Sequence, residues 1–288
     1  MTVSASPSRL IPAVKVPEGA GVIVHRTIGT PALRNYDPFL LLDHFSSDNP
    51  DEYIAGFPSH PHRGFNTFTY IIDGHVLHQD SMGNTGDLGP GSAQWMKAAS
   101  GIIHSEMPQQ ENGLLRGLQL WINLPAANKM DHPEYQEYTA QAFPVIATPD
   151  YTLKVLIGRF ADAAAPIVDD ITHVTYWDVQ VQPEKHFQHH LPRDNSSFLY
   201  VLEGSGQLNG QTVPQFSLVT LNAESSSFDF IAGKEGVRFV VISGEPIHEP
   251  IVQYGPFVMN TREQIDQAMK DFQSNHFVRD RAWIKRDQ

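Results

Sequence analysis

Short runs of alternating apolar and polar residues, punctuated by Gly and Pro, make up most of the chain. In the first half they lie at "AGVIVHRTIG", "FNTFTYIIDGHVLHQDS", "GSAQWMKAASGIIH" and "LLRGLQLWINLP". In the second half they lie at "YTLKVLIGRF", "THVTYWDVQVQP", "SFLYVLEGSGQLNGQ", "QFSLVTLNA" and "RFVVISGEP". A period of two over segments this short predicts β-strands. Asp73-Gly74 and Glu203-Gly204, each after an aromatic strand, predict hairpin turns. The similar order of runs in the two halves suggests a duplicated β-barrel or sandwich. Between them, the polar, proline-bounded "PAANKMDHPEYQEYTAQAFP" predicts the domain connection. One segment has a different period. In "NTREQIDQAMKDFQ", Ile265, Ala268, Met269 and Phe272 fall at i, i+3, i+4 and i+7, and Thr261 and Gln264 have capping-box spacing. A helix packed on a barrel is expected there.

Composition narrows the functional classes. A chain of 288 residues holds one large domain or two medium ones, and 41% hydrophobic residues fit a globular protein. A net charge of -12 opposes direct binding to nucleic acid. The chain has no cysteine and 14 histidines, so any bound metal takes nitrogen and oxygen ligands. The N-terminus lacks the apolar core of a secretory signal, and no run reaches the length of a membrane span. A cytoplasmic protein with no membrane association is expected. The glycines of "SMGNTGDLGPGS" lack the Gly-Lys-Ser/Thr of a phosphate loop and are read as turns.

The candidate chemistry begins at "SHPHRGFNTFTYIIDGH". His60 and His62 lie two apart, so on a strand they share a face. If the alternation runs on unbroken, Asn66, Phe68, Tyr70 and Ile72 continue that face. A second pair, His104 and Glu106 in "GIIHSEMP", has the same spacing. Together they offer three imidazoles and a carboxylate, a set suited to Fe(II), Mn, Ni, Cu or Zn with coordination positions left open for a substrate or dioxygen. Spacing alone leaves a second reading open, in which these are ordinary surface or packing histidines.

At these residues the chain resembles the pirin family of the cupin superfamily. "FPSHPHRGFNTFTYIIDG" and "GPGSAQWMKAASGIIHSEMP" are similar to the two motifs of its metal-binding barrel, "GLQLWINLP" follows in order, and "GEPIHEPIVQYGPFVMNTREQI" is similar to its C-terminal signature. The resemblance runs from about Val22 to about Phe272. It implies an all-β bicupin: two facing antiparallel β-barrels of jelly-roll type with a short C-terminal α-helix. The expected division is a metal-binding barrel over 1–135 and a metal-free barrel plus the helix over 136–288. The implied metal ligands are His60, His62, His104 and Glu106. The implied ion is Fe(II), with Mn, Ni, Cu, Zn and Co as alternatives. The histidines of the second half, His186, His189 and His190, show no His-x-His pair and are expected to hold no metal.

The family includes quercetin 2,3-dioxygenases, which implies a flavonol-like aromatic substrate and Glu106 as general base for its 3-hydroxyl. Phe68, Tyr70, Trp95 and Met96 are the expected pocket wall, with core packing as the alternative for Phe68, Tyr70 and Trp95, and Gln119 is an expected polar contact. Asn66 stands where relatives commonly carry a glutamate, so a role beside the ligands is expected of it. The family also includes regulatory binding proteins, which implies the alternative of a metal-dependent regulator acting through a protein partner.

Overall fold

The computed structural model describes residues 7–110, 112–221 and 227–279. It is all-β apart from one α-helix and two single-turn 3₁₀ segments. The chain forms two compact units whose segments are exchanged. One comprises Lys15–Gly29, Phe39–Ala140 and Ile247–Gln288; the other comprises Met1–Val14, Thr30–Pro38 and Gln141–Pro246. The change near Ala140 lies in the proline-bounded stretch. The helix, however, belongs with the unit that contains His60 and His104, as do the other described residues from Ile247 onward.

That first unit is a jelly-roll sandwich. Its larger sheet has seven strands, in the order Glu134–Tyr138, Ala93–Lys97, Phe65–Asp73, Leu115–Asn123, Phe39–Ser47, Val22–Arg26 and Val14–Glu18. Its smaller sheet has four: Phe57–His62, Ile102–Pro108, Val76–Asp80 and Thr85–Leu88. Val22, Val24, Phe45, Tyr53, Ile71, Val76, Leu88 and Leu115 form a core cluster. At roughly 25 cal/mol per Å² of apolar surface removed from water, such side chains supply the main drive for folding.

Asp73-Gly74 does not make a hairpin. Phe65–Asp73 lies in the seven-stranded sheet and Val76–Asp80 in the four-stranded one, so the turn carries the chain from one sheet to the other. A positive φ of 87° at Gly74 permits this bend.

The helix, Arg262–Gln273, starts with the expected capping box. Thr261 Oγ1 accepts from the Gln264 amide, and the Gln264 side chain accepts from the Thr261 amide. Ile265 and Ala268 are buried with Phe257, Met259, Phe277 and Val278. A salt bridge joins the helix to the end of the strand that bears the paired histidines: Arg63, itself 2% exposed, donates to Asp271 Oδ2 across 2.7 Å. Arg63 also donates to the carbonyls of Ser100 and Phe277. Lys129, from the stretch read as a linker, is buried, and its Nζ donates to Gly64 O, Asn123 Oδ1 and Val258 O. These bonds hold the turn after His62 against the C-terminal segment.

The second unit is built on a nine-stranded sheet whose longest member, Ser227–Gly244, pairs with Thr175–Val181, Ser196–Leu208 and His186–His190. Its core includes Trp177, Phe187, Phe228, Phe230 and Phe239. Glu203-Gly204 lies inside Ser196–Leu208 at a shift of register, so it is a bulge; the chain reverses at Asn209-Gly210, both at positive φ. The end of the run "QFSLVTLNA" lies outside the described residues. His186 faces Asp229 at 3.2 Å. His189 stacks on Phe160 and meets the edge of Trp177. Among the described residues no helix is long and apolar enough to cross a membrane.

Candidate metal centre

Residues two apart on a strand share a face, and residues opposite one another on antiparallel strands share it too. In the four-stranded sheet His104 pairs with His60 on one side and with Asp80 on the other. One step along, Glu106 pairs with His78. Three adjacent strands therefore present His60 and His62, His104 and Glu106, and Asp80 and His78 to the same side. The seven-stranded sheet contributes a matching polar rung: Thr69 pairs with Gln94 and Gln119, and Gln119 with Asp43.

Two overlapping groups result. One ring nitrogen each from His60, His62 and His104 lie within 4.8 Å of one another, as do ligand atoms of His78, His104 and Glu106. His60 Nε2 and His62 Nε2 are 3.0 Å apart. His60 Nδ1 lies 2.8 Å from the Pro58 carbonyl, which requires its proton there and leaves Nε2 with a free lone pair. His104 Nε2 is buried without a protein hydrogen-bond partner.

Burial, and then the neighbouring His60, push the His62 pKa well down, with a backbone bond at Pro256 opposing. Burial, and then His62, His60 and His78, push the His104 pKa well down. Both rings are thus neutral at ordinary pH, the form that binds metal. Converging neutral nitrogens, one of them an orphan, fit a divalent cation.

Glu106 is 3% exposed and held by three donors. Its Oε1 accepts from Thr69 Oγ1 at 3.0 Å and Gln94 Nε2 at 2.6 Å, and its Oε2 from Gln119 Nε2 at 2.7 Å. Trp121 Nε1 donates to Gln119 Oε1 at 3.1 Å, which fixes the direction of that amide.

A cleft of about 550 Å³ opens over His60 and His62. Phe57, Leu41 and Trp121 give it apolar wall, and Gln119, Glu18, Arg26 and Asp43 give it a polar end. Arg26 grips Asp43 through two bonds, Nε to Oδ1 at 2.7 Å and Nη2 to Oδ2 at 2.6 Å. Pockets of roughly 300–1,000 Å³ enclose small organic molecules.

Several expected positions move. Gly64, with φ 93°, breaks the strand after His62, and the chain resumes in the opposite sheet with its alternation shifted. Odd residues such as Thr69 now face the site. Asn66, Phe68 and Tyr70 lie on the other face of their sheet, and Trp95, which pairs with Phe68, lies there with them. All four are buried. Asn66 is therefore not beside the ligands. Met96, opposite Thr67, is on the site's face but packs with Ala98 and Ile102. Gln119 alone of the expected wall and contact residues lines the cleft.

Sequence reasoning missed Thr69, Gln94, Trp121, His78 and Asp80. The last two had a signal, since "HQD" repeats the i, i+2 spacing that drew attention to His60/His62 and His104/Glu106.

Two family models match the chain, one described as Pirin over residues 21–122 and one as Pirin C-terminal cupin domain over residues 176–278. A Pseudomonas aeruginosa protein provisionally named a quercetin 2,3-dioxygenase is 44% identical over 261 residues, 88% of this chain and 92% of the relative. Pirin from Homo sapiens is 39% identical over 274 residues, 92% of each. The crystal structure of quercetin 2,3-dioxygenase from Acinetobacter baumannii aligns with a TM-score of 0.88 at 31% identity, over 96% of this chain and 99% of that one.

Proposed function

The chain belongs to the pirin family of the cupin superfamily, and from that premise we propose that it is a metal-dependent dioxygenase opening the ring of flavonol-like substrates. The observation that carries this reading is the convergence of His60, His62 and His104 nitrogens, two of which, those of His60 and His62, belong to residues lining a cleft large enough for a small aromatic molecule. The names of the Pseudomonas and Acinetobacter relatives support the same chemistry.

His60, His62, His104 and Glu106 would hold the ion, for which we propose Fe(II). When bound it supplies Lewis acidity toward a substrate oxygen and an electron path to dioxygen. The remaining work falls to the protein. Phe57, Leu41 and Trp121 flank a flat ring and exclude water from it. Gln119 and the Arg26–Asp43 pair meet hydroxyl groups at the polar end. Glu106 takes the proton of the substrate's 3-hydroxyl as general base, kept in one orientation by Thr69, Gln94 and Gln119.

Anaerobic reconstitution with Fe(II), followed by dioxygen and quercetin, tests the activity. Loss of flavonol absorbance with release of carbon monoxide is expected. Absence of turnover with every first-row divalent metal overturns the enzymatic reading and leaves a metal-binding regulator. For the site, His62→Ala is expected to lose its metal, and retained stoichiometric metal would show the ligand assignment to be wrong.

A further inference from the structure

His78 has no place in the mechanism above, yet it is wholly buried and touches the metal centre. Its Nδ1 lies 3.4 Å from His104 Nδ1, and its Nε2 lies 3.4 Å from Asp80 Oδ2. Its ring is stacked on Tyr135, with centroids 4.5 Å apart and planes inclined by 18°. Asp80 cannot turn away. Its Oδ1 accepts from the amides of Met82 and Asn84 and its Oδ2 from Asn84 Nδ2. A carboxylate that takes three N–H donors is in its ionised, acceptor-only state.

With His78 as a neutral imidazole, these contacts place each proton. Asp80 accepts, so His78 Nε2 carries hydrogen and His78 Nδ1 has the lone pair. His78 Nδ1 therefore accepts, and His104 Nδ1 carries hydrogen. His104 Nε2 is left with its lone pair, and this is the buried nitrogen without a protein partner. We propose that His78 is a positioning residue: with Asp80 it forms a chain that locks His104 into the tautomer able to bind the ion. The inference rests on the metal site proposed above. A ligand imidazole held by an outer hydrogen-bond partner is a general arrangement, and losing such a partner typically costs 10–100-fold in affinity. Here the partner is an imidazole backed by a carboxylate, and the strand that supplies both, Val76–Asp80, provides none of the four assigned ligands.

Two measurements test this. In the metal-free parent protein, ¹⁵N NMR of the histidine rings is expected to show His104 protonated at Nδ1; protonation at Nε2 overturns the proposal. Competition of a chelator for Zn(II) is expected to show His78→Phe, which keeps a ring against Tyr135, binding about 10–100-fold more weakly than the parent. His78→Gln, whose carbonyl can again accept from His104, is expected to recover most of the loss. Affinity of the Phe variant within twofold of the parent overturns the positioning role while leaving the metal site intact. Should that variant not fold, the parent's tautomer and the Gln variant decide. Failure of the parent itself to bind Zn(II) or Fe(II) would instead refute the metal site, a result distinct from any change confined to the variants.

Discussion

Arg63 donates to Asp271 across 2.7 Å, tying the residue that follows His62 to a helix 208 positions away in sequence. Arg63 is almost fully buried and Asp271 is 18% exposed at its side chain. Breaking a buried pair by removing one partner costs roughly 3–5 kcal/mol. Asp271→Ala is expected to cost somewhat less, about 2–3 kcal/mol by denaturant titration, because Arg63 keeps two carbonyl acceptors and Asp271 is partly solvated. An unchanged midpoint would mean that the helix is not anchored through this pair.

Gly64 sits at φ 93°, and a Cβ there would overlap the Val258 carbonyl. Gly64→Ala combines backbone strain with that collision, and the neighbouring group is main chain, which yields little. Destabilisation above about 3 kcal/mol is expected. The C-terminal segment should become sensitive to limited proteolysis; resistance equal to the parent would refute this.

The donors around Glu106 hold its charge in place. Gln119→Leu removes the one bond to Oε2 and is expected to lower metal affinity about tenfold. Trp121→Phe leaves the amide present but free to rotate, so the loss should have the same direction and a smaller size. Isothermal titration with a divalent metal measures both. Equal affinity in all three proteins would show that this orientation is irrelevant.

In the second unit, burial between Phe160 and Trp177, and then the charge of His190, lower the pKa of His189 to about 4 from an ordinary 6.5. Between these values the unfolded chain binds a proton that the folded chain refuses. Stability therefore falls as pH drops from 6.5 to 4, and His189 adds no slope outside that window. The contribution is on the order of 2 kcal/mol after allowance for partial exposure. His189→Phe should flatten the stability curve between pH 6.5 and 4 relative to the parent, and parallel curves would remove His189 as the cause.

The periodicity of the sequence identified strands, the C-terminal helix and its capping box, because these depend on neighbours within a few residues. The i, i+2 histidine and carboxylate pairs were legible for the same reason: a strand places them on one face whatever it packs against. The wall of the site was not legible. The alternation that His60 and His62 begin does not continue to Tyr70, because at Gly64 the chain changes sheets and the alternation is reset.

What the sequence by itself determined is local: an all-β chain, one amphipathic helix, and two pairs of ligand-type side chains two residues apart, His60/His62 and His104/Glu106. Tertiary structure decided which pairs meet. Strand order puts His104 between His60 and Asp80, and the opposite sheet brings Thr69, Gln94 and Gln119 onto Glu106. Tertiary structure also placed the C-terminal helix against the turn beyond His62. Register and sheet exchange arise from the closure of the whole unit around its core, and no window of neighbouring residues contains that information.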